Sequence, residues 1–260
     1  MVVHDMKKIY LLALLLTCMA AGPRIGHAQT STISAHDLSQ IGVAAYKEAD
    51  YASAIRDFSD AANQGDPVAQ FWLGAMYEGG QGVPRDVTEA AKWYRKSAER
   101  GDPNGQVRLA IMLAVGRGIP RNDDEAVMWY RKSADQGNAA AQFNLALMYR
   151  NGRGVPLDDR EAATWYLKAA DQGFAEAQFD LGVMYGTGRG VSRDDHEAAA
   201  LIRKAADQNL PVAQYTLARM YKAAIGVPQD LHEAAELYRE AAAHGIVAAQ
   251  NELNAMSGKN

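Results

Sequence analysis

The acidic residues that could act as general acids or bases recur in this sequence at one fixed spacing. An Asp or Asn precedes a Glu by three residues in five places, at Asp86/Glu89, Asn122/Glu125, Asp158/Glu161, Asp194/Glu197 and Asp230/Glu233. At this spacing the first side chain accepts a hydrogen bond from an unpaired N–H at the start of a helix, and the Glu reaches back toward the residue that caps it. We therefore interpret these pairs as helix caps and not as catalytic carboxylates.

The histidines do not form a recognisable metal or catalytic group. Four of them follow the N-terminal segment, at His36, His196, His232 and His244. No two are spaced i, i+4 and no carboxylate cluster accompanies them, as a zinc site would require. No nucleophile has a matched base in the sequence. The sequence predicts no catalytic residue, no metal site and no cofactor.

Arginines in the glycine-rich turns could bind an anionic polymer or a phosphate. They recur at the same or a neighbouring turn position, at Arg85, Arg117, Arg121, Arg153, Arg189 and Arg193. Aspartates close to them would cancel much of the positive field, at Asp123, Asp124, Asp158, Asp159, Asp194 and Asp195. No strand precedes the turns and no Lys-Ser/Thr follows, so they are not phosphate loops. The sequence leaves open whether this edge binds an anion.

The elements that carry these residues repeat every 36 residues. Gln70 recurs at this interval as Gln106, Gln142, Gln178, Gln214 and Gln250. A period of 20–50 residues indicates a solenoid of stacked units. The amide of Gln70 and its copies could contact a ligand, but we favour a hydrogen bond to a neighbouring backbone, because buried amides need partners.

Each unit reads as two helices joined by a tight turn. In residues 67–102 apolar side chains stand at i, i+4, i+7 and i+8, at Ala69, Leu73, Met76 and Tyr77. The glycines and proline of Gly80–Pro84 end the first helix, and a second follows with Trp93 and Tyr94, which we interpret as core aromatics. The predicted fold is all-α, an α/α superhelical solenoid of antiparallel helix pairs.

The N-terminus has the features of a secretory signal peptide over residues 1–28. Lys7 and Lys8 precede the apolar run 9–21, which is short for a membrane span, and Gly26-His27-Ala28 suits cleavage before Gln29. We expect a protein that crosses the inner membrane, resides in the periplasm and has no membrane span after cleavage. An uncleaved anchor is the alternative, and the start could be Met1 or Met6.

The one cysteine, Cys18, lies inside this segment. It leaves open a lipoprotein acylated at Cys18, although Thr17 stands where a small residue is usual. Cleavage after Ala28 removes Cys18, so the mature chain would hold no disulfide. We divide the rest into a flexible leader (29–35), a first helix pair (36–66), five long units (67–246), and a capping helix and tail (247–260).

The long units resemble the Sel-one-like repeat, a branch of the tetratricopeptide-like superfamily. The resemblance rests on four runs of unit 67–102, namely Leu73-Gly74-x-Met76-Tyr77, Gly80-x-Gly82-Val83-x-x-Asp86, Ala90-x-x-Trp93-Tyr94 and Ala98-x-x-Gly101. Residues 36–66 resemble a tetratricopeptide repeat, with small and aromatic residues of that family at Gly42, Ala54, Phe58 and Ala61. The resemblance implies a right-handed superhelix that acts as an adaptor or assembly platform, often in bacterial envelopes or signalling.

The resemblance also implies that the first helix of each unit lines a concave surface. Residues that vary between units share one face of that helix, at Trp72, Arg108, Ile111, Asn144, Leu147, Asp180, Val183 and Arg219. We hypothesise that they form a groove with an apolar seam and polar flanks that holds a peptide or helix of a protein partner. The alternative is drift of unconstrained surface residues.

Composition and family set the remaining expectations. With 48% hydrophobic residues and a net charge of -4, the chain is a folded protein without the basic face of a nucleic-acid binder. The alternative to a scaffold is an assembly or regulatory subunit of a polysaccharide-export or secretion machine, which a lipid on Cys18 would favour. A cysteine-rich branch of the family includes lactam-cleaving proteins, but these repeats lack cysteine and catalytic groups. The partner and the oligomeric state are not predicted.

Overall fold

The structure, a computed structural model, describes residues 33–258, and this range contains thirteen α-helices and no strand. They are α1 (Ala35–Lys47), α2 (Tyr51–Asn63), α3 (Pro67–Gly79), α4 (Val87–Glu99), α5 (Pro103–Val115), α6 (Asp123–Asp135), α7 (Ala139–Asn151), α8 (Asp159–Asp171), α9 (Ala175–Thr187), α10 (Asp195–Asp207), α11 (Pro211–Ala223), α12 (Leu231–Ala243) and α13 (Val247–Met256). The predicted signal peptide and residues 29–32 lie outside the described residues. Among the helices described, none has the length and apolar character to cross a membrane.

The helices stack in pairs along the chain. Each odd-numbered helix up to α11 packs on the even-numbered helix that follows it, and each even-numbered helix packs on the next odd-numbered one. The first helices α1 and α3, and α3 and α5, also contact each other directly. The last helix, α13, packs on α12 and closes the described stack. This arrangement confirms the predicted α/α solenoid.

Small residues on the first helices allow the two helices of a pair to approach closely. A Cβ added to Gly74 would lie 2.7 Å from the ring of Tyr94, and one added to Gly42 would lie 2.7 Å from the ring of Phe58. Both aromatic side chains are fully buried. The interpretation of the Trp-Tyr pairs as core residues is confirmed for the tyrosines and for Trp129 and Trp165, whereas Trp93 is only half-buried.

The predicted helix caps are present at the second helices. Asp86 Oδ1 accepts hydrogen bonds from the backbone N–H of Thr88 at 2.9 Å and of Glu89 at 3.0 Å. The equivalent aspartates cap α8, α10 and α12 with two such bonds, and Asn122 caps α6 with one, from the backbone N–H of Glu125. These bonds satisfy N–H groups that have no partner inside the helix.

The glutamates of three capping pairs make other bonds than the reciprocal one that the spacing predicts. Glu125 and Glu161 accept from the indole N–H one turn later, whereas Glu89 pairs with Lys92 at 2.8 Å. A charge-assisted bond to a side chain ahead replaces the weaker bond to the capping backbone.

The turn between paired helices depends on glycine for two reasons. Gly118 has a φ of +70°, and a Cβ there would lie 2.3 Å from the carbonyl oxygen of Val87 in the preceding unit. The left-handed backbone and the close approach both exclude a larger residue. The predicted left-handed Asn209 is confirmed with a φ of 62°, and Ala224 takes the position of a turn glycine with a φ of 55°.

Candidate functional site

The eight residues predicted to bind a partner all lie on first helices of the solenoid. They are distributed over α3, α5, α7, α9 and α11, at Trp72, Arg108, Ile111, Asn144, Leu147, Asp180, Val183 and Arg219. Ile111, Leu147 and Val183 occupy equivalent positions on the consecutive helices α5, α7 and α9. We call these three residues the aliphatic row. Ile111 and Leu147 are half-buried against the core, and Val183 is 37% exposed.

Trp72 has a structural task at the N-terminal end of the row. Its indole stacks on the Phe58 ring with 5.9 Å between centroids and an interplanar angle of 3°, and it lies 4.8 Å from the Tyr46 ring. The side chain therefore joins the first helix pair to the repeat that follows. The variation at this position reflects a contact with the preceding unit, which is not itself a long repeat.

Polar residues beside the aliphatic row pair across neighbouring first helices. Asp180 on α9 lies 3.0 Å from Arg150 on α7, and Glu252 on α13 lies 2.7 Å from Lys222 on α11 at the equivalent positions. A charge at the end of one first helix is thus matched by the opposite charge on the next. Asp180 is thus paired with the residue 30 positions before it, on the preceding first helix.

Two other residues of the predicted set are held by contacts within their own helix. Asn144 donates its side-chain N–H to the carbonyl oxygen of Ala140 at 2.7 Å. Arg219 lies over the ring of Tyr215, with 5.9 Å from the guanidinium carbon to the ring centre. Arg108 is exposed on α5. The flanks of the row are thus polar side chains in defined positions.

The tyrosines of the second helices are buried against the first helices. Tyr94 donates to Glu78 at 2.8 Å, and burial raises the pKa of its hydroxyl well above the usual range. Burial likewise raises the pKa of Tyr130 and Tyr166, and that of Tyr238 to about 12. These phenols stay neutral at ordinary pH, so they act as core residues and offer no general base.

Three of the six arginines of the turns form ion pairs between units. Arg153 contacts Asp123 at 2.6 Å and the carbonyl oxygen of Ala114 at 2.7 Å. Arg189 and Asp159 make the equivalent pair at 2.7 Å, whereas Arg117 turns to Glu78 at 3.1 Å. Of the other turn arginines, Arg121 and Arg193 pair with an aspartate two residues away in their own unit, and Arg85 donates to a backbone carbonyl oxygen.

Four of the six repeated glutamines donate to backbone as expected, at Gln70, Gln106, Gln142 and Gln178. Gln214 and Gln250 donate instead to the side chains of Glu240 and Asn254. The side-chain N–H of Gln106 donates to the carbonyl oxygen of Ala98 at 3.3 Å, and its Oε1 accepts from Gln136 at 2.8 Å. Gln172 and Gln208 serve the next two units in the same way. Sequence reasoning missed these partners, Gln136, Gln172 and Gln208, which come just before Gly137, Gly173 and Asn209 at the ends of their second helices.

The histidines stand apart from one another in the described residues. His196 Nδ1 lies 2.9 Å from the carbonyl oxygen of Gly226, and His232 Nε2 lies 3.9 Å from Glu236. Within residues 33–258, no three His, Cys, Asp or Glu side chains are grouped in a manner that could hold a metal ion.

Comparison with known families identifies the repeats. The profile of the Sel1 repeat matches five consecutive segments, at residues 67–102, 103–138, 139–174, 175–210 and 211–246. The bounds are those that the 36-residue period predicts. The matched segments cover more than half of the chain. No curated protein is similar enough to this chain to count as a match.

Solved structures include proteins of the same architecture. A protective antigen of uropathogenic Escherichia coli strains, which displays an SLR fold, is 35% identical with a TM-score of 0.81 over 86% of this chain and 49% of its own. This chain thus spans about half the length of that relative. A Sel1 repeat protein of Oxalobacter formigenes is 34% identical with a TM-score of 0.78, over 84% of this chain and 87% of its own. An immunity protein of Pseudomonas aeruginosa, at 21% identity, a TM-score of 0.51 and coverage of 78% and 81%, shares the fold alone.

Proposed function

This chain belongs to the Sel1 repeat family, and we propose that it is an exported scaffold that binds a peptide or helix of a protein partner along its first helices. Sel1 repeats generally mediate protein–protein interaction. The partner would bind on the aliphatic row and its polar flanks, and the protein would reside in the periplasm.

The observation that carries the proposal is the aliphatic row. Ile111, Leu147 and Val183 place an aliphatic side chain at the same position of three consecutive first helices. These three side chains remain partly exposed to solvent, although larger apolar side chains near them are buried. Aliphatic groups that recur along one surface, with polar groups beside them, are what the apolar face of a partner helix or peptide requires.

The polar flanks support the same conclusion. The pair Arg150–Asp180 and the bonded amide of Asn144 hold their side chains in one arrangement before a partner arrives. A surface that is ordered in advance loses less entropy on binding. Arg108 and Arg219 add positive charge at two places beside the row, so an acidic residue on the partner would be favoured there.

Export rests on residues 1–28 of the sequence. The basic start, the short apolar run and the Gly26-His27-Ala28 site support cleavage before Gln29. The E. coli relative is a protective antigen, which supports a location beyond the cytoplasm. Mass spectrometry of the N-terminus of protein isolated from cell envelopes tests this: a chain that begins at Gln29 supports periplasmic release, and a chain that begins at an acylated Cys18 replaces it with a lipoprotein.

Charge substitution in the aliphatic row tests the surface. We expect Leu147→Glu and Val183→Glu to reduce crosslinking to the partner in intact cells by roughly tenfold or more, as loss of a central contact does. Leu167→Glu is the matched control, because Leu167 is 45% exposed on the second helix α8. Circular dichroism confirms that each variant is folded. Folded variants that retain every wild-type crosslink would refute the proposed surface.

A further inference from the structure

A cavity lies between α2 and α4, on the other helix layer from the aliphatic row. Its volume is about 360 Å³, and Gln70, Trp93, Lys96, Glu99 and Arg100 contribute to its wall. This is at the lower end of the size range of small-molecule sites. Two buried polar atoms of this wall, Gln70 Oε1 and Trp93 Nε1, have no hydrogen-bond partner in the protein. Gln70 is only 3% exposed.

The other repeats show which group is missing beside Gln70. In the next three units the equivalent Oε1 accepts an amide N–H from the residue 30 positions later, at Gln136, Gln172 and Gln208. In the fifth unit, where His244 stands at that position, Gln214 Oε1 is unpartnered as Gln70 Oε1 is. Arg100 stands at that position in the first unit. Its guanidinium lies against Gly65, where an added Cβ would be 2.9 Å from Cζ. The acceptor of Gln70 is therefore left buried and without a partner at the wall of the cavity.

The same comparison shows what is missing beside Trp93. In the next two units the indole N–H donates to a carboxylate, at 3.2 Å to Glu125 and at 2.9 Å to Glu161. The equivalent Glu89 instead pairs with Lys92 at the surface. The indole N–H of Trp93 is left without an acceptor. The first unit thus lacks one amide N–H and one carboxylate that its neighbours supply internally.

These two gaps define the chemistry of an occupant. Its N–H must reach Gln70 and its carboxylate must reach Trp93. Lys96 Nζ lies 3.7 Å from the centre of the Trp93 ring, and Arg100 adds a second cation at the wall, whereas Glu99 supplies one negative charge. A carboxylate is favoured where cations and an N–H donor converge.

We propose that this cavity binds an acylated amino acid with a free carboxylate, as found at the C-terminus of a peptide. The amide N–H of the terminal residue donates to Gln70 Oε1, and its carboxylate accepts from Trp93 Nε1 beside Lys96 and Arg100. The small volume selects a short terminal side chain. The site uses no residue of the aliphatic row, so a failed test of one surface does not refute the other.

The probe is N-acetyl-trialanine, with the same peptide amidated at its C-terminus and sodium acetate as comparisons. Binding is measured by isothermal titration calorimetry, and the indole N–H resonance of Trp93, assigned from a Trp93→Phe variant, is followed by NMR in ¹⁵N-labelled protein. We expect saturable binding of the free acid that moves this resonance downfield. The amidated peptide and acetate are expected to bind at least about tenfold more weakly, since each lacks one of the paired groups.

Arg100→Gln is the decisive variant, because it supplies the amide that occupies this place in the next three repeats. We expect it to remove binding without lowering the midpoint of thermal unfolding. Trp93→Phe should also lose binding by calorimetry while it keeps most of the ring contacts. Arg121→Gln is the control, since it removes a cation from an exposed turn away from the cavity and should bind normally.

Three results would overturn the inference. They are no saturable binding of the free acid, equal binding of the amidated peptide or of acetate, and unchanged binding by folded Arg100→Gln protein. Each would mean that Gln70 and Trp93 do not bind the N–H and the carboxylate of a peptide end.

Discussion

The guanidinium of Arg153 crosses a repeat boundary to the carboxylate of Asp123, with its two contacts at 2.6 and 3.2 Å. The same guanidinium also donates to the carbonyl oxygen of Ala114 at the end of α5. Arg153, in the turn of one unit, thus contacts both the second helix and the first helix of the preceding unit. Because a solenoid is stabilised by contacts between neighbours, such a link contributes to the whole stack.

Removal of this link should destabilise the protein measurably. We expect Arg153→Ala to lower the free energy of unfolding by about 1–2 kcal/mol, because a charge-assisted bond and a bond to a backbone carbonyl are both lost. Arg193→Ala is the control, since Arg193 pairs with Asp195 at the surface two residues away, and its loss should cost less than about 0.5 kcal/mol. Urea unfolding measures the free energy of unfolding of both variants, and equal losses of stability would contradict the expected difference between the two arginines.

The same ion pair predicts a dependence on pH. Arg121 and Arg153 lower the pKa of Asp123 from 3.8 to about 2. A carboxylate with a depressed pKa stabilises the folded state fully above its unfolded pKa, and this contribution is lost as the pH falls through the folded pKa. The stability difference between wild type and Asp123→Asn should therefore be constant above about pH 5, fall most steeply between about pH 4 and pH 2, and vanish only by about pH 1. Urea unfolding across this range tests it, and a difference that persists at the acid end would contradict it.

Gly118 should tolerate substitution less well than Gly137, although both have positive φ. A Cβ at Gly118 would meet the Val87 carbonyl at 2.3 Å, whereas nothing lies within 4 Å of one at Gly137. We expect Gly137→Ala to cost about 1 kcal/mol from backbone strain alone, and Gly118→Ala to cost about 3 kcal/mol or more because the units must separate. Thermal unfolding of the two variants measures the gap. Similar losses would mean that close approach of the units is unimportant.

Ala224 offers a site where the protein can be made more stable. It adopts a φ of 55° at the end of α11, where four earlier units have glycine. Ala224→Gly should raise the free energy of unfolding by about 1 kcal/mol by removing strain. Ala223→Gly, at the last residue of the helix, should not raise it and is expected to lower it by up to about 0.5 kcal/mol. Because the two substitutions are expected to change stability in opposite directions, each serves as the control for the other in thermal unfolding.

The regular part of the fold could be predicted because each unit carries it locally. The caps at Asp86 and its copies and the left-handed Asn209 depend only on residues a few positions away. These features, with the 36-residue period, predict the helices, the turns and the solenoid.

What could not be predicted depends on contacts between units. In the sequence Asp180 is only a variable surface residue, whereas the structure places Arg150 of the preceding first helix beside it. The sequence predicts an exposed ring at Trp72, whereas the structure shows the Phe58 ring stacked on it. The departure of Arg100 from the glutamine of later units was visible in the sequence, but its meaning required the cavity that it leaves beside Gln70.

Site-specific photocrosslinking in intact cells tests the central claim of a partner on the first helices most directly. A photoreactive amino acid is placed in turn at Val183 in the aliphatic row and at Leu167 on the second helix, and crosslinked proteins are identified by mass spectrometry. The account predicts one partner crosslinked from Val183, lost when Leu147→Glu is added, and absent from Leu167. Identical crosslinks from Val183 and Leu167, or a Val183 crosslink that Leu147→Glu does not reduce, would contradict it.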